Sequence, residues 1–431
     1  MPIVISDSGL KSVADPLPSI NIDQARLQNW IEELANFSDS ASPSVTRVLF
    51  SYPDLKARAY VKRLCSEIDL HIREDGAGNI FARWEGSNTA LPPVGTGSHI
   101  DAIPNAGRFD GTVGVLGGLE AIRALRESGF RPARSIELIV FTSEEPTRFG
   151  IGCLGSRMLS GILAPNAARK LRDPEEKSFE ELRSLAGYGG KSLEDVKLAR
   201  GAYAAFVELH IEQGPLLEKE NVPIGIVTAI AAPSTLRLVL AGIGGHAGAV
   251  LMSERRDALV AGAEIALLVE QAALHNGSAD TVATTGIFRI EPGAVNSIPS
   301  RARLEIDVRD TDAAIRDRVL DKIEKSAREV SRRRGIELSF EVLNADPPAA
   351  CDTRLVSVIE DVCGELKILC RRMISRAYHD SLFMAQICPT AMIFIPCRGG
   401  VSHRPDEYSS PQQVAKGTEV LSHTLARLSS H

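Results

Sequence analysis

The sequence predicts an α/β protein: a mixed, mostly parallel sheet carrying a dinuclear metal site, with a second domain inserted into it. Three observations carry that expectation. Apolar strands alternate with loops and helices between Pro93 and Glu145. A βαββαβ run fills residues 226–342. And five residues of metal-ligating type, His99, Asp110, Glu145, His210 and His403, each fall at the end of an apolar strand or in the loop after it.

Taken in order, Leu27, Trp30, Ile31 and Leu34 recur at helical spacing and predict an amphipathic opening helix. The run Val94 to His99 reads as a strand, followed by a glycine-rich loop and a small-residue helix from Thr112 to Leu125. A second strand, Ile136 to Phe141, stops at Glu144-Glu145. Strand, loop, helix, strand is the pattern of a parallel sheet, whose ligands collect beyond the carboxyl ends of its strands. Residues 160–200, with Lys170, Asp173, Glu175, Glu176 and Lys177, predict a helical, solvated connecting region. A strand from Thr235 to Ala241 leads through Gly242-Ile243-Gly244-Gly245-His246 to a helix over Ser253 to His275. Strands over Thr281 to Ile290 and Ser297 to Arg309, a helix over Ala313 to Arg334 and a strand from Ile336 to Val342 complete a ferredoxin-like order. The expected division is therefore a catalytic domain of residues 1–225 and 343–431 and an inserted domain of 226–342, with Pro347-Pro348 marking the return. Thr390 to Pro396 reads as another buried strand. Ser410-Pro411-Gln412-Gln413 is a capping box that starts a helix with Val414, Leu421, Leu425 and Leu428 on one face.

A length of 431 residues suits two domains. A formal net charge of −6 gives no electrostatic reason to expect a nucleic-acid or anionic-membrane partner. The seven cysteines are scattered, with no C-x-x-C pair, which argues against a disulfide framework or zinc ribbon and for a reducing compartment. Met1 to Asp7 lacks a basic region followed by an apolar run, and no stretch reads as a membrane span. The expectation is cytoplasmic, with the endoplasmic reticulum as the alternative for a processed precursor.

In His99-Ile100-Asp101 the carboxylate can orient the imidazole. Gly107, Gly111 and Gly114 permit a tight turn that swings Asp110 back toward His99. Glu144 and Glu145 are costly to bury without partners, and in isolation they read equally well as an exposed corner. Alternatively they divide the work: Glu145 binds metal, and Glu144 takes a proton from the attacking water and passes it to the leaving amine. Strand alternation puts Glu208, His210 and Glu212 on one face, where Glu212 can steer His210. Gln213 offers an amide that both donates and accepts, as a ureido group requires. Three imidazoles and two carboxylates suit two divalent ions sharing one carboxylate, a device for hydrolysing amides and phosphoesters. With no cysteine in the set, manganese and zinc are both compatible. No Gly-x-Ser-x-Gly elbow supports a serine hydrolase. His71, His275, His423 and His431 match no motif and read as structural or exposed.

His99-x-Asp101, Asp110, Glu144-Glu145, His210-x-Glu212-Gln213-Gly214-Pro215 and Gly245-His246-Ala247-Gly248 together resemble the M20 metallopeptidase-like amidohydrolases. The closer branch holds the N-carbamoyl amino acid hydrolases, allantoate amidohydrolases and ureidoglycolate amidohydrolases. The resemblance runs from about residue 20 to the end of the chain. It implies that His99, Asp110 and His210 hold one ion and that Asp110, Glu145 and His403 hold the other, with Asp110 bridging. It implies Mn²⁺, with Zn²⁺, Co²⁺ or Ni²⁺ as alternatives, and a homodimer formed through the inserted domain, which also serves as a lid. Glu144 would be general base and then acid. His246 would reach a neighbouring subunit's site and stabilise the oxyanion. Asn296 and Arg309 would hold the substrate carboxylate, although Arg309 alone reads as well as an ordinary strand-surface residue. Gln213, Tyr378 and His379 would line the rest. The segment Ile374 to Ser381 has Tyr378 where carbamoylases and allantoate enzymes carry glycine, and this version is similar to the ureidoglycolate amidohydrolases. The implied reaction is hydrolysis of (S)-ureidoglycolate to glyoxylate, ammonia and carbon dioxide in purine (ureide) catabolism. The sibling activities are the alternatives, and a non-catalytic binding or assembly module is the alternative of a different class.

Overall fold

The uninterrupted apolar runs become the buried centre of a nine-stranded sheet in the computed structural model, which describes residues 19–431. Met1 to Asp7 lie outside those residues. From one edge the strands run Ala349–Ala350, Ile224–Ile230, Thr390–Ile395, Ala205–Ile211, Val94–His99, Ile136–Phe141, Ile80–Trp84 and His71–Glu74, with Cys370–Ser375 also paired to Ile224–Ile230. The four from Thr390–Ile395 to Ile136–Phe141 are parallel, and every residue in them is buried. Strands buried on both faces have no polar side to alternate with, which is why they read as continuous apolar runs. Outward from this centre most pairs turn antiparallel, so the sheet is mixed and its parallel character is concentrated in the middle.

Helices Gln24–Ala35, Thr112–Glu127 and Pro411–Ser429 cover one face. The first buries Leu27, Trp30, Ile31 and Leu34; the last carries the Ser410–Gln413 capping box with Pro411 in its first turn. The other face is covered by the segment expected to be a solvated connection. Lys170, Glu175, Glu176 and Lys177 are exposed, as their charge implies. But Leu163, Ala168, Phe179, Leu182 and Tyr188 pack with Phe81, Ile139, Phe141 and Phe206 into a second core. The charged residues hid sparse apolar positions carried on helices too short to show a period.

A second, four-stranded antiparallel sheet has the order Val282–Glu291, Arg301–Asp310, Ala232–Ala241, Glu337–Ala345. Leu236, Leu238, Leu304 and Ile306 bury one face against Ile265 and Val269 of helix Ala258–Asn276 and Val319 and Ile323 of helix Ala313–Arg334. The first of these helices starts later than Ser253, because Asp257 caps it by accepting the N–H groups of Leu259 and Val260. Pro299 and Ser300 split the strand expected over Ser297 to Arg309 into Ser297–Ile298 and Arg301–Asp310. Helix Ala258–Asn276 also corrects the membrane reading: by length and composition it is apolar enough to cross a bilayer, yet Ala261, Ile265, Val269 and Ala272 lie on the sheet.

Candidate metal centre

His99 is the last residue of its strand, and Asp110 returns toward it through a turn that only glycine fits. Gly111 has φ +62°, and a Cβ there would lie 2.4 Å from the His99 imidazole. Gly107 and Gly114, expected to share this role, do not adopt positive φ; they permit close packing instead. His210 comes from the adjacent parallel strand, Glu144 and Glu145 from the loop after Ile136–Phe141, and His403 from the loop after Thr390–Ile395. Ser143, Gln213 and His403 all have left-handed backbones, a sparsely populated conformation that tends to gather at functional sites.

The five expected ligands converge as two triads around one carboxylate. Asp110 Oδ1 lies 3.5 Å from His99 Nε2 and 3.2 Å from His210 Nε2; its Oδ2 lies 3.4 Å from His403 Nε2, which is 3.3 Å from Glu145 Oε1. In each triad the candidate ligand atoms lie within 4.8 Å of one another. His99 Nδ1 is 3.1 Å from the Asp101 carbonyl and His210 Nδ1 2.9 Å from the Ile211 carbonyl. Those contacts place a proton on Nδ1 and turn both Nε2 atoms toward Asp110. Nitrogen and oxygen donors in two triads sharing a carboxylate fit two divalent ions.

The supporting residues differ in part from expectation. The Asp101 carboxylate is 3.6 Å from His99 Nδ1, and it mainly accepts the N–H groups of Glu144 (3.1 Å) and Glu145 (3.0 Å), tying the two ligand loops together. Glu212 does not steer His210: its carboxylate accepts the N–H groups of Leu216 and Leu217, the orphan donors of the helix that follows. Glu208, to which no role was given, is fully buried and accepts from Ser98 and Ser381. Its position two residues before His210 was the available signal. Ser402, beside His403, was likewise given no role, and Glu407 was missed because nothing in its spacing marks it.

Glu144 belongs to neither triad. Its carboxyl lies 3.7 Å from His99 Nε2 and 3.6 Å from the buried Cys153 thiol. Burial pushes its pKa well above the usual carboxylate range; His99 opposes this, while Glu145 and Asp380 add to it. Burial likewise raises Glu145. Burial raises the Asp110 pKa, but the three imidazoles overcome it and hold the group well below its ordinary range. Contacts with Asp110 and Glu145 push His403 up to about 11. Without an ion, then, the imidazoles retain protons that an ion must displace. Calorimetric Mn²⁺ titration near pH 7 is expected to release protons, seen as an enthalpy that follows the buffer's ionisation enthalpy, and affinity is expected to rise with pH. Equal enthalpies in two such buffers would mean that the ligands enter binding already deprotonated.

Gln213 donates its amide N–H to Asp110 Oδ2 (2.6 Å), and its carbonyl oxygen is buried without a partner. His379 packs T-shaped on the His210 ring at 4.5 Å, with Nε2 3.1 Å from Ser375 Oγ. The Arg309 guanidinium lies 5.4 Å from the Tyr378 ring and pairs with Asp307 at 2.7 Å. Burial, and after it the neighbouring Glu144, Cys153 and Glu145 groups, raise the Tyr378 phenol well above its ordinary pKa. His246 and Asn296 are not brought to this cluster. Both are exposed, His246 on a two-stranded ladder of Gly245–His246 against Ser297–Ile298 and Asn296 just before its second strand; His246 Nδ1 accepts the Gly248 N–H.

A model of peptidase family M20/M25/M40 matches residues 95–427. The chain belongs to that family. A ureidoglycolate hydrolase from Oryza sativa subsp. japonica is 55% identical over 95% of this chain and 85% of its own. One from Arabidopsis thaliana is 54% identical over 95% and 88%. The crystal structures of AtUAH in complex with glyoxylate and with (S)-hydroxyglycine are each 53% identical, cover 95% of this chain and 99% of that one, and superpose with a TM-score of 0.89.

Proposed function

We infer that this protein is a metal-dependent amidohydrolase that acts on (S)-ureidoglycolate, releasing ammonia and carbon dioxide and leaving hydroxyglycine, which decays to glyoxylate and a second ammonia. The observation that carries the reading is Tyr378 under the Arg309 guanidinium, its phenol in the field of Glu144 and Glu145. A carboxylate-binding cation thus stands one aromatic ring from the proton-transfer group, a span that suits a short ureido acid. Two relatives more than half identical over nearly the whole chain are named ureidoglycolate hydrolase.

Two divalent ions held by the triads would supply Lewis acidity, activating water and polarising the ureido carbonyl. Glu144 takes the water's proton and returns it to the departing nitrogen. The free Gln213 carbonyl accepts a ureido N–H, and Arg309 receives the substrate carboxylate. His246 and Asn296 complete the oxyanion and carboxylate contacts from a neighbouring subunit. We assign Mn²⁺ as the working ion. The test is release of glyoxylate and ammonia from (S)-ureidoglycolate with Mn²⁺ and with chelator, beside allantoate and an N-carbamoyl amino acid. Good turnover of either alternative with none of ureidoglycolate would sink the assignment. Tyr378→Gly is expected to widen the pocket and shift relative kcat/KM toward the larger substrates by about tenfold, the scale of one pocket contact. An unchanged preference would remove Tyr378 from substrate selection.

The dimer is supported by helix Ala258–Asn276, which is apolar on more than its sheet-facing side and leaves Leu267 and Leu274 65% and 68% exposed beside the edge strand Val282–Glu291. The variant Leu267→Glu/Leu274→Glu is expected to be monomeric in light scattering. A dimer of wild-type strength would place the interface elsewhere.

A further inference from the structure

Glu407 lies in the loop beyond His403, 4% exposed, and binds the Asp110 loop from almost the far end of the chain. Its Oε1 accepts the N–H groups of Phe109 (2.8 Å) and Asp110 (3.1 Å). Its Oε2 is 2.9 Å from the Ser402 hydroxyl, which is also 2.6 Å from Asp110 Oδ2. Gln213 Nε2 reaches the same oxygen. Asp110 is thus held at its backbone and at its side chain by one neighbouring carboxylate and the serine that carries His403. A Cβ on Gly107 would lie 2.4 Å from the Glu407 side chain, so the loop closes on that carboxylate with no space to spare. Asp110 is also made asymmetric. Oδ2, which faces His403, carries the donors from Gln213 and Ser402, whereas Oδ1 faces His99 and His210.

We propose that Glu407 and Ser402 are positioning residues that hold the bridging Asp110 and the His403 loop in register for two ions. A buried carboxylate is costly unless its partners need it. Here two of those partners are the ligand's own main-chain N–H and, through Ser402, the ligand's own oxygen. Residues that orient a ligand in this way commonly change metal affinity by about 10–100-fold when removed. The proposal rests on the two-ion reading, not on the choice of substrate.

The test is Mn²⁺ stoichiometry and affinity, by calorimetry and metal analysis, with melting of the chelated protein alongside. Glu407→Ala is expected to bind Mn²⁺ about 10–100-fold more weakly. Glu407→Gln should recover most of that affinity, because its carbonyl accepts both N–H groups and its amide reaches Ser402. Ser402→Ala, at a half-buried position, keeps the test alive if Glu407→Ala does not fold, and should weaken binding about tenfold. Wild-type affinity in Ser402→Ala and in every folded Glu407 variant would overturn the proposal, whatever the chelated melting temperatures. A wild-type protein that binds no Mn²⁺ would overturn the two-ion reading and this proposal with it. Neither result depends on ureidoglycolate turnover.

Discussion

Glu144→Gln is expected to lower kcat by about 10²–10⁴-fold, the usual worth of a positioned general base and acid, while metal binding is unchanged. That corresponds to about 3–5 kcal/mol of transition-state stabilisation. The separation of effects follows from geometry. Glu145 faces His403 at 3.3 Å, whereas Glu144 stands outside both triads with only the Cys153 thiol and the His99 ring at its carboxyl. Its backbone is fixed by Asp101 at 3.1 Å, so the amide takes the same place. Glutamine keeps the shape and loses the proton-accepting oxygen. Metal analysis and single-turnover kinetics check the two halves. Lost metal would make Glu144 a ligand, and activity within tenfold of wild type would assign the proton transfer to another group.

The central sheet was legible because strands buried on both faces must be apolar throughout. For the same reason Val94–His99 and Ile136–Phe141 were located to the residue, and the helix Ala313–Arg334 was located as well because it runs between the Asp312 cap and Gly335. Helix Ala258–Asn276 was less so: its start depends on where the Asp257 side chain finds the N–H groups of Leu259 and Val260, and Ser253 offered an equally plausible first turn. The candidate ligands were legible because side chains of metal-ligating type stand out at the ends of apolar strands. Their supports were not, because a supporting residue needs only a hydrogen bond, and many residue types provide one. Glu212 illustrates the difficulty. Alternation put it on the face of His210, but the strand ends at Ile211, and the unsatisfied N–H groups of Leu216 and Leu217 claim its carboxylate. Glu407 illustrates the converse, since its partners Phe109 and Asp110 are almost three hundred positions away.

Arg157→Met is expected to destabilise the protein by about 3–5 kcal/mol, read as a lower urea midpoint, because it strands the Asp346 carboxylate in a nearly dry site. The guanidinium binds Asp346 through two bonds, at 2.6 and 2.5 Å, with side chains 5% and 6% exposed, and its Nε donates to the Gly152 carbonyl at 2.8 Å. Asp346 lies where the chain returns from the four-stranded sheet to the nine-stranded one. Its N–H meets Pro233 O at the outgoing crossing, and Arg316 donates to the carbonyls of Ala232 and Asp346. The pair therefore fastens the crossing to the segment that carries Cys153 and, nine residues before it, Glu144. Arg157→Met/Asp346→Leu removes both charges and is expected to regain much of the stability, since a buried pair is often no better than apolar side chains of similar volume. What apolar contact does not replace is direction: a bidentate fork fixes an angle as well as a distance. The double variant should accordingly regain stability while kcat stays below wild type. If kcat recovers together with the urea midpoint, the pair holds the crossing without orienting the site. If the single variant loses less than about 1 kcal/mol, below the range for an unpaired buried charge, Asp346 finds water or another donor once Arg157 is gone.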